Sequence, residues 1–462
     1  MFRHVRSLWH HQRVFVVVFV ISFGIGGLAL ILLTHAATPT ASLEPETGSL
    51  SSTTITTDST ASGGRAVRFS PPATRPLYLG TLMTQPAHAA EESSKGAKVA
   101  MLELKWQFYE TADGQFNTGY ITNMKNQFQD LRDAGMQVTL GMGVHYTPAW
   151  VKVLPNSAYV DQNGVASNDL NVVFNQKIRQ KVQEYYAQID RDFGLENFWA
   201  IRLTSGGNGE MLYPDGQTYF AYDINAQNGP DMPTTMARNP FPGWKPGNTS
   251  ITKTQVGQWA DWYIKALDDV ANWQMTYLTS LGFTGYYQML TPGSGMRPNG
   301  YTSDINTYLP KSYTAVGAVW HKFYEFLPNK KNVVVYISSV ADNSGSNDSC
   351  TPTDASQALT STALNSWSAT RWQARIASQY GLQLAGENPG YNNPAKYNAF
   401  YVDTSATGMM ATAIRQAQTC NFQTFYWAHD DRLWDGTQSF TNYASYIQQL
   451  HGTTYPLPTL PN

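Results

Sequence analysis

Charge is scarce in this 462-residue chain: Asp, Glu, Lys and Arg make up 14% of it, against about 25% in a typical soluble domain. The net charge is −2, so no basic surface is on offer to a polyanion and nucleic acid is excluded as a partner. Cysteine occurs twice, at Cys350 and Cys420. Two cysteines rule out a metal site of Cys spacing and leave open one disulfide, formed outside the cell, or two buried thiols. Neither has a histidine beside it to make it a nucleophile. The histidines show no HxxxH or HxH spacing, so no metal and no cofactor is expected.

What the chain does have is aromatic and neutral polar surface. Aromatics reach 13%, and the shortage of charge leaves the exterior to Asn, Gln, Ser, Thr and Tyr. Flat rings and neutral hydrogen-bonding groups are what a sugar-binding cleft uses, and many extracellular proteins share this balance.

One long hydrophobic run stands near the start. Residues 14–33 carry no charge and follow Arg3, Arg6 and Arg13. That length and flanking charge predict a cytoplasmic basic segment over 1–13 and a transmembrane signal anchor over 14–33. A cleaved signal peptide is the alternative, although the run is longer than the usual apolar region of about 7–15 residues. Either way the remainder faces the outside, at the cell surface or secreted, with the membrane as a partner in the first case. Residues 34–74 are Ser/Thr-rich and read as linker. Within them, Leu43-Glu44-Pro45-Glu46 and the later Ser62-Gly63-Gly64-Arg65 resemble the opening of β-sandwich carbohydrate-binding modules. Only a remnant strand pair fits, since a whole sandwich needs about a hundred residues.

From residue 75 to 452 short apolar runs alternate with helix-period segments. The runs cover 77–83, 99–104, 137–142, 198–204, 285–290, 332–338, 382–386 and 422–427. Between them, Val256, Trp259, Tyr263, Leu267 and Val270 share one helical face. This alternation predicts an α/β fold with a parallel sheet, and eight repeats predict a (β/α)8 TIM barrel. A doubly wound sheet is disfavoured because no Gly-rich phosphate turn follows the first run. Residues 453–462 form a tail. Long insertions at 211–253 and 340–364 follow the fourth and sixth strands, at the mouth where βα loops shape a substrate cleft and can act as lids.

Two glutamates carry the chemistry. Glu210, in Gly206-Gly207-Asn208-Gly209-Glu210-Met211-Leu212-Tyr213-Pro214, follows the fourth strand. Glu387, in Ala385-Gly386-Glu387-Asn388-Pro389, follows the seventh. Carboxyls delivered to one mouth are what cleavage of a glycosidic bond needs: one protonates the leaving oxygen, and the other activates water or attacks the sugar. Glu103 and Trp106 after the second strand, His145 and Trp150 after the third, and Trp427, His429 and Asp430 after the eighth complete the candidate substrate site. Trp rings would stack on a pyranose, while Glu, His and Asp would take its hydroxyls.

These stretches resemble β-amylases, glycoside hydrolase family 14. Gly209-Glu210-Met211-Leu212-Tyr213-Pro214 is similar to the motif around the family's general acid. Ala385-Gly386-Glu387-Asn388, with Tyr397-Asn398 behind it, is similar to that around its general base. The resemblance implies Glu210 as acid, Glu387 as base in an inverting reaction, and substrate contacts at Tyr213 and Asn388. Glu103 stands where the family has an aspartate that grips the terminal sugar, and His145 near a substrate-binding histidine. The family's flexible loop after the third strand and its sixth-strand loop pattern have no counterpart here. Glu103 to Tyr120 is similar instead to retaining β-galactosidases of family 42, although these place Asn before the acid and this chain has Gly209. The expected function is therefore an extracellular glycoside hydrolase acting on an oligo- or polysaccharide. The alternatives are a retaining β-galactosidase-like enzyme and a membrane-anchored glycan-binding protein without catalysis.

Overall fold

The computed structural model describes residues 53–57, 65–69, 76–207, 209–342, 348–391, 395–451 and 456–461, and the chain divides into two compact units, Met1–Thr74 and Arg75–Asn462. In the first unit Thr53–Thr57 pairs antiparallel with Arg65–Phe69 in unbroken register, a hairpin in the stretch read as a module remnant. The proposed membrane segment at 14–33 lies outside the described residues. Among those described, no helix is long and apolar enough to cross a membrane.

In the second unit eight strands close into a parallel barrel. They are β1 Tyr78–Thr81, β2 Val99–Glu103, β3 Gln137–Gly141, β4 Ala200–Leu203, β5 Tyr286–Leu290, β6 Val333–Ile337, β7 Gln383–Glu387 and β8 Thr424–Trp427. Each pairs with its sequence neighbour, and β8 returns to β1 through Thr424 opposite Tyr78. Seven strands lie inside the apolar runs read from sequence. The seventh runs one residue further, which takes Glu387 into the sheet.

Side chains alternate across each strand, so parity decides which face a residue serves. The barrel interior holds Val99, Met101, Ala200, Tyr286, Val334, Tyr336, Ala385 and Tyr426. The intervening residues, such as Leu102, Leu140, Ile201, Val335, Leu384 and Trp427, pack outward against the helices. Both faces are covered, which is why parallel strands read as continuous apolar runs rather than as alternation.

The longest helix, Lys253–Ser280, starts with a capping box in which the Thr252 hydroxyl accepts from Gln255 N and the Gln255 side chain accepts from Thr252 N. Its predicted apolar face is buried along its length. The insertion after β4 packs onto this helix: Tyr213 stacks on Tyr263 with centroids 4.0 Å apart, and Tyr219 and Trp244 meet Trp259 edge-on. Much of the expected lid is thus anchored to the helical layer, because its aromatics are spent on a core of their own. At the opposite end, the Thr459 and Pro458 carbonyls accept from Trp199 Nε1 and Gln137 Nε2, tying the tail to the amino-terminal end of the barrel.

Cys350 and Cys420 form a disulfide, the first of the two alternatives. It ties the loop after β6 to the end of helix Met409–Thr419. Closing a loop of 70 residues stabilises chiefly by restricting the unfolded chain. Cys420→Ser is therefore expected to lower stability by about 2–4 kcal/mol, measured as the drop in denaturation midpoint. Reductant should produce the same drop in the wild type and none in the variant.

Candidate active site

The inward parity that fills the barrel also delivers its polar groups. Continuing Val99 and Met101 along β2 leads to Glu103. Ala200 on β4 leads to Arg202, Val334 and Tyr336 on β6 lead to Ser338, and Ala385 on β7 leads to Glu387. All of these emerge at the carboxyl-terminal end of the strands, where barrel sites form.

The cleft there has two halves. An inner half of 170 Å³ includes Glu103, His145, Tyr146 and Arg202 in its lining, and an outer half of 290 Å³ includes Ser338, Asp342, Asn388 and His429. Glu210, Glu387 and Leu82 line both. The two glutamates therefore stand where the halves meet.

Their surroundings differ. Burial pushes the Glu210 carboxyl up to about 7, and the nearby Glu387 charge adds to this, while a 2.7 Å hydrogen bond from the Ser338 hydroxyl to Oε1 and the Arg202 charge oppose it. Glu387 instead receives two donors on one oxygen: Tyr336 Oη at 2.6 Å and Arg202 Nη2 at 3.2 Å, both to Oε2. Gly209 immediately precedes the acid with φ +78°, a left-handed turn that costs glycine nothing. A Cβ there would lie 3.1 Å from the His145 ring.

Glu103 and His145 stand in the inner half. Burial raises Glu103 to about 7 against the opposing Arg202 charge. Burial also lowers His145 to about 4, helped by Arg202, so this imidazole is neutral near pH 7. Its Nδ1 is buried and has no partner among the described residues. Glu103, Gly141 and Arg202 are neighbours in one row across β2, β3 and β4. A Cβ on Gly141 would sit 1.9 Å from Glu103 Oε2, so the bare glycine makes room for that carboxyl.

Asn388 and His429 border the outer half. Asn388 is buried, and its Oδ1 accepts from Ala428 N, which ties the loops after β7 and β8 together.

The other expected substrate contacts lie elsewhere. Trp106 is fully buried, stacked on Tyr185 and donating Nε1 to Glu110 Oε2. Trp150 is half-buried against Trp106, with Nε1 donating to the Glu110 carbonyl. Tyr213 is buried, donating its hydroxyl to the Tyr263 carbonyl. Trp427 has outward parity and packs on Tyr401. Asp430 is buried behind the cleft, accepting from Gln85 N and pushed up to about 7 by burial. Core packing claims these five, and none lines either half of the cleft.

Three residues that touch the glutamate pair, Arg202, Tyr336 and Ser338, were not anticipated. Only Arg202 left a signal: it is the one charge in the apolar run Ala200-Ile201-Arg202-Leu203, and a charge on a doubly covered strand needs a buried partner. Among the described residues no group of three or more His, Cys, Asp or Glu is arranged to hold a metal ion.

No protein-family profile and no curated protein sequence matches this chain. Among solved structures it is similar to the catalytic domain of β-amylase from Paenibacillus polymyxa, with a TM-score of 0.54 and 14% identity over 81% of this chain and 98% of that one. It is also similar to a β-galactosidase from the Antarctic haloarchaeon Halorubrum lacusprofundi, with a TM-score of 0.49 and 10% identity over 84% and 59% of the two chains. Identity at that level speaks to architecture alone: the chain shares the (β/α)8 barrel of the β-amylase catalytic domain.

Proposed function

We propose that this protein is an extracellular glycoside hydrolase, cleaving O-glycosidic bonds of a neutral oligo- or polysaccharide, with Glu210 as general acid and Glu387 as general base. The observation that carries this reading is the pairing of two carboxyls in one cleft with opposite partners. Glu210, raised to about 7, can hold a proton for the leaving oxygen at neutral pH. Glu387, bound by a guanidinium and a phenol, is arranged to act as an anion on water. Hydrolysis by such a pair needs no cofactor.

The charge of the cleft supports a neutral substrate. Its described lining contains Glu103, Glu210, Glu387 and Asp342, with Arg202 as the single Arg or Lys. That arginine is already paired with Glu387, so a uronate or sulfated sugar would meet carboxyls with no cation to spare. The disulfide supports an oxidising compartment, and membrane attachment through residues 14–33 belongs to the same proposal.

The motif resemblance supports inversion over retention, in which Glu387 would be the nucleophile. Proton NMR of the first product distinguishes the two: an inverted anomer fits a base and water, and a retained one fits covalent attack. Purified protein that binds neutral oligosaccharides across a broad panel yet never cleaves one would overturn the enzyme reading in favour of a glycan-binding protein.

A further inference from the structure

Arg202 starts on β4 and reaches Glu387 on β7, three strands along the barrel with β5 and β6 between. Its Nη2 donates to Glu387 Oε2 at 3.2 Å, and its Nη1 lies 4.0 Å from Glu103 Oε2. Nη1 also contacts Met101 Sδ at 3.0 Å, and the guanidinium stands over the Tyr336 ring with its carbon 4.9 Å from the centroid. The side chain is 12% exposed. Contacts on several sides leave it little freedom to swing.

Both donors to Glu387, the guanidinium and the Tyr336 hydroxyl, fall on Oε2. No described residue donates to Oε1. A carboxylate gripped by one edge presents the other in a fixed direction, and a planar fork does this better than a rotating ammonium.

We infer that Arg202 is the positioning residue of this site: it holds the Glu387 carboxylate by its Oε2 edge, leaving Oε1 for the reacting water, and spreads its charge to Glu103 and Glu210. This rests on the hydrolase reading above for the water, but the charge coupling stands without it. The titratable and charged groups near Arg202 are Glu103 on β2, Lys105, His145 and Tyr146 in the loops beyond β2 and β3, Glu210 beyond β4, Tyr336 on β6, Glu387 on β7 and Tyr426 on β8. On β5 the inward residues Gln288 and Leu290 carry no charge. Of these groups, Glu103 and Glu210 are the carboxyls held down by Arg202 and raised to about 7 by burial.

The test compares wild type with Arg202→Ala and Arg202→Lys, each first checked for a cooperative unfolding transition. On a cleaved glycan, Arg202→Ala is expected to lower kcat about 10²-fold, as a misplacement of about 1 Å can, with little change in KM. Added guanidinium should restore part of the loss in Arg202→Ala, and Arg202→Lys should fall between. A kcat within about threefold of wild type, where a lost transition-state contact would show, overturns the positioning role. So does a loss that neither guanidinium nor lysine repairs. Carboxyl ¹³C NMR of glutamate-labelled protein reads the coupling without turnover. The Glu210 and Glu103 midpoints should both move to higher pH in Arg202→Ala, and unmoved midpoints overturn the coupling. If wild type cleaves no glycan while the midpoints move, the hydrolase reading and the water-directing role fall and the coupling survives.

Discussion

Glu210→Gln and Glu387→Gln should each lower kcat by about 10²–10⁴-fold, the usual worth of a positioned acid or base, with KM little altered. Glutamine keeps the shape of each side chain and its contacts to Ser338, Tyr336 and Arg202, so the loss reports proton transfer rather than collapse of the cleft. The pH profile supplies a second signature. Glu210 must be protonated to act, so kcat/KM should fall as pH rises through about 7. Glu103 lines the same half of the cleft with a carboxyl raised to the same region. A Glu103→Gln variant separates the two: the limb near 7 should survive if it belongs to the acid. Activity unaffected by both exchanges at positions 210 and 387 would end the proposed mechanism.

The second large effect concerns stability. Asp268 lies on the buried side of helix Lys253–Ser280, and neither carboxyl oxygen has a partner among the described residues. Burial pushes its pKa well above the usual carboxylate range, with Lys330 and Lys265 only partly opposing. Burial thus favours the neutral form in the folded protein, while in the unfolded chain the group ionises above about 4. The unfolded state thus releases a proton that the folded state keeps. Stability from this residue is complete below pH about 4 and declines as pH rises toward the folded value. Asp268→Leu, close in volume and without polar atoms, should raise stability by about 1–3 kcal/mol at neutral pH. The gain should be smaller at pH 5 than at pH 8. Chemical denaturation of the two proteins at both values checks it, and an equal gain at both would show that folded Asp268 keeps no proton over this range.

The barrel was legible because parallel strands buried on both faces leave long apolar runs, and seven of the eight strands lie inside those runs while the other overshoots its run by one residue. Helix Lys253–Ser280 was legible from its heptad-like apolar face. The site was legible mainly in its carboxylates and in the polar residues His145, Asn388 and His429. Glu103, Glu210 and Glu387 reach the cleft because carboxyls resist burial without a partner. Aromatic residues obey no such constraint. Trp427 and Tyr426 are adjacent in sequence and serve opposite faces of the sheet, so which of them could meet a sugar depended on a parity invisible until the register was known. Trp106 and Tyr213 resemble sugar platforms in composition, yet their polar atoms find partners inside the core. Tyr336 and Ser338, part of an ordinary β-strand pattern, left no mark of their contact with the glutamates.

Gly141 shows how a missing side chain can act as a wire. Because nothing projects from this point on β3, the Glu103 carboxyl on one flanking strand and the Arg202 guanidinium on the other face each other across it, 4.0 Å apart. Any larger residue there would displace the Glu103 carboxyl, since a Cβ would lie 1.9 Å from its Oε2. Position 141 is thus a dial on the distance between one buried carboxyl and the guanidinium it shares with Glu387.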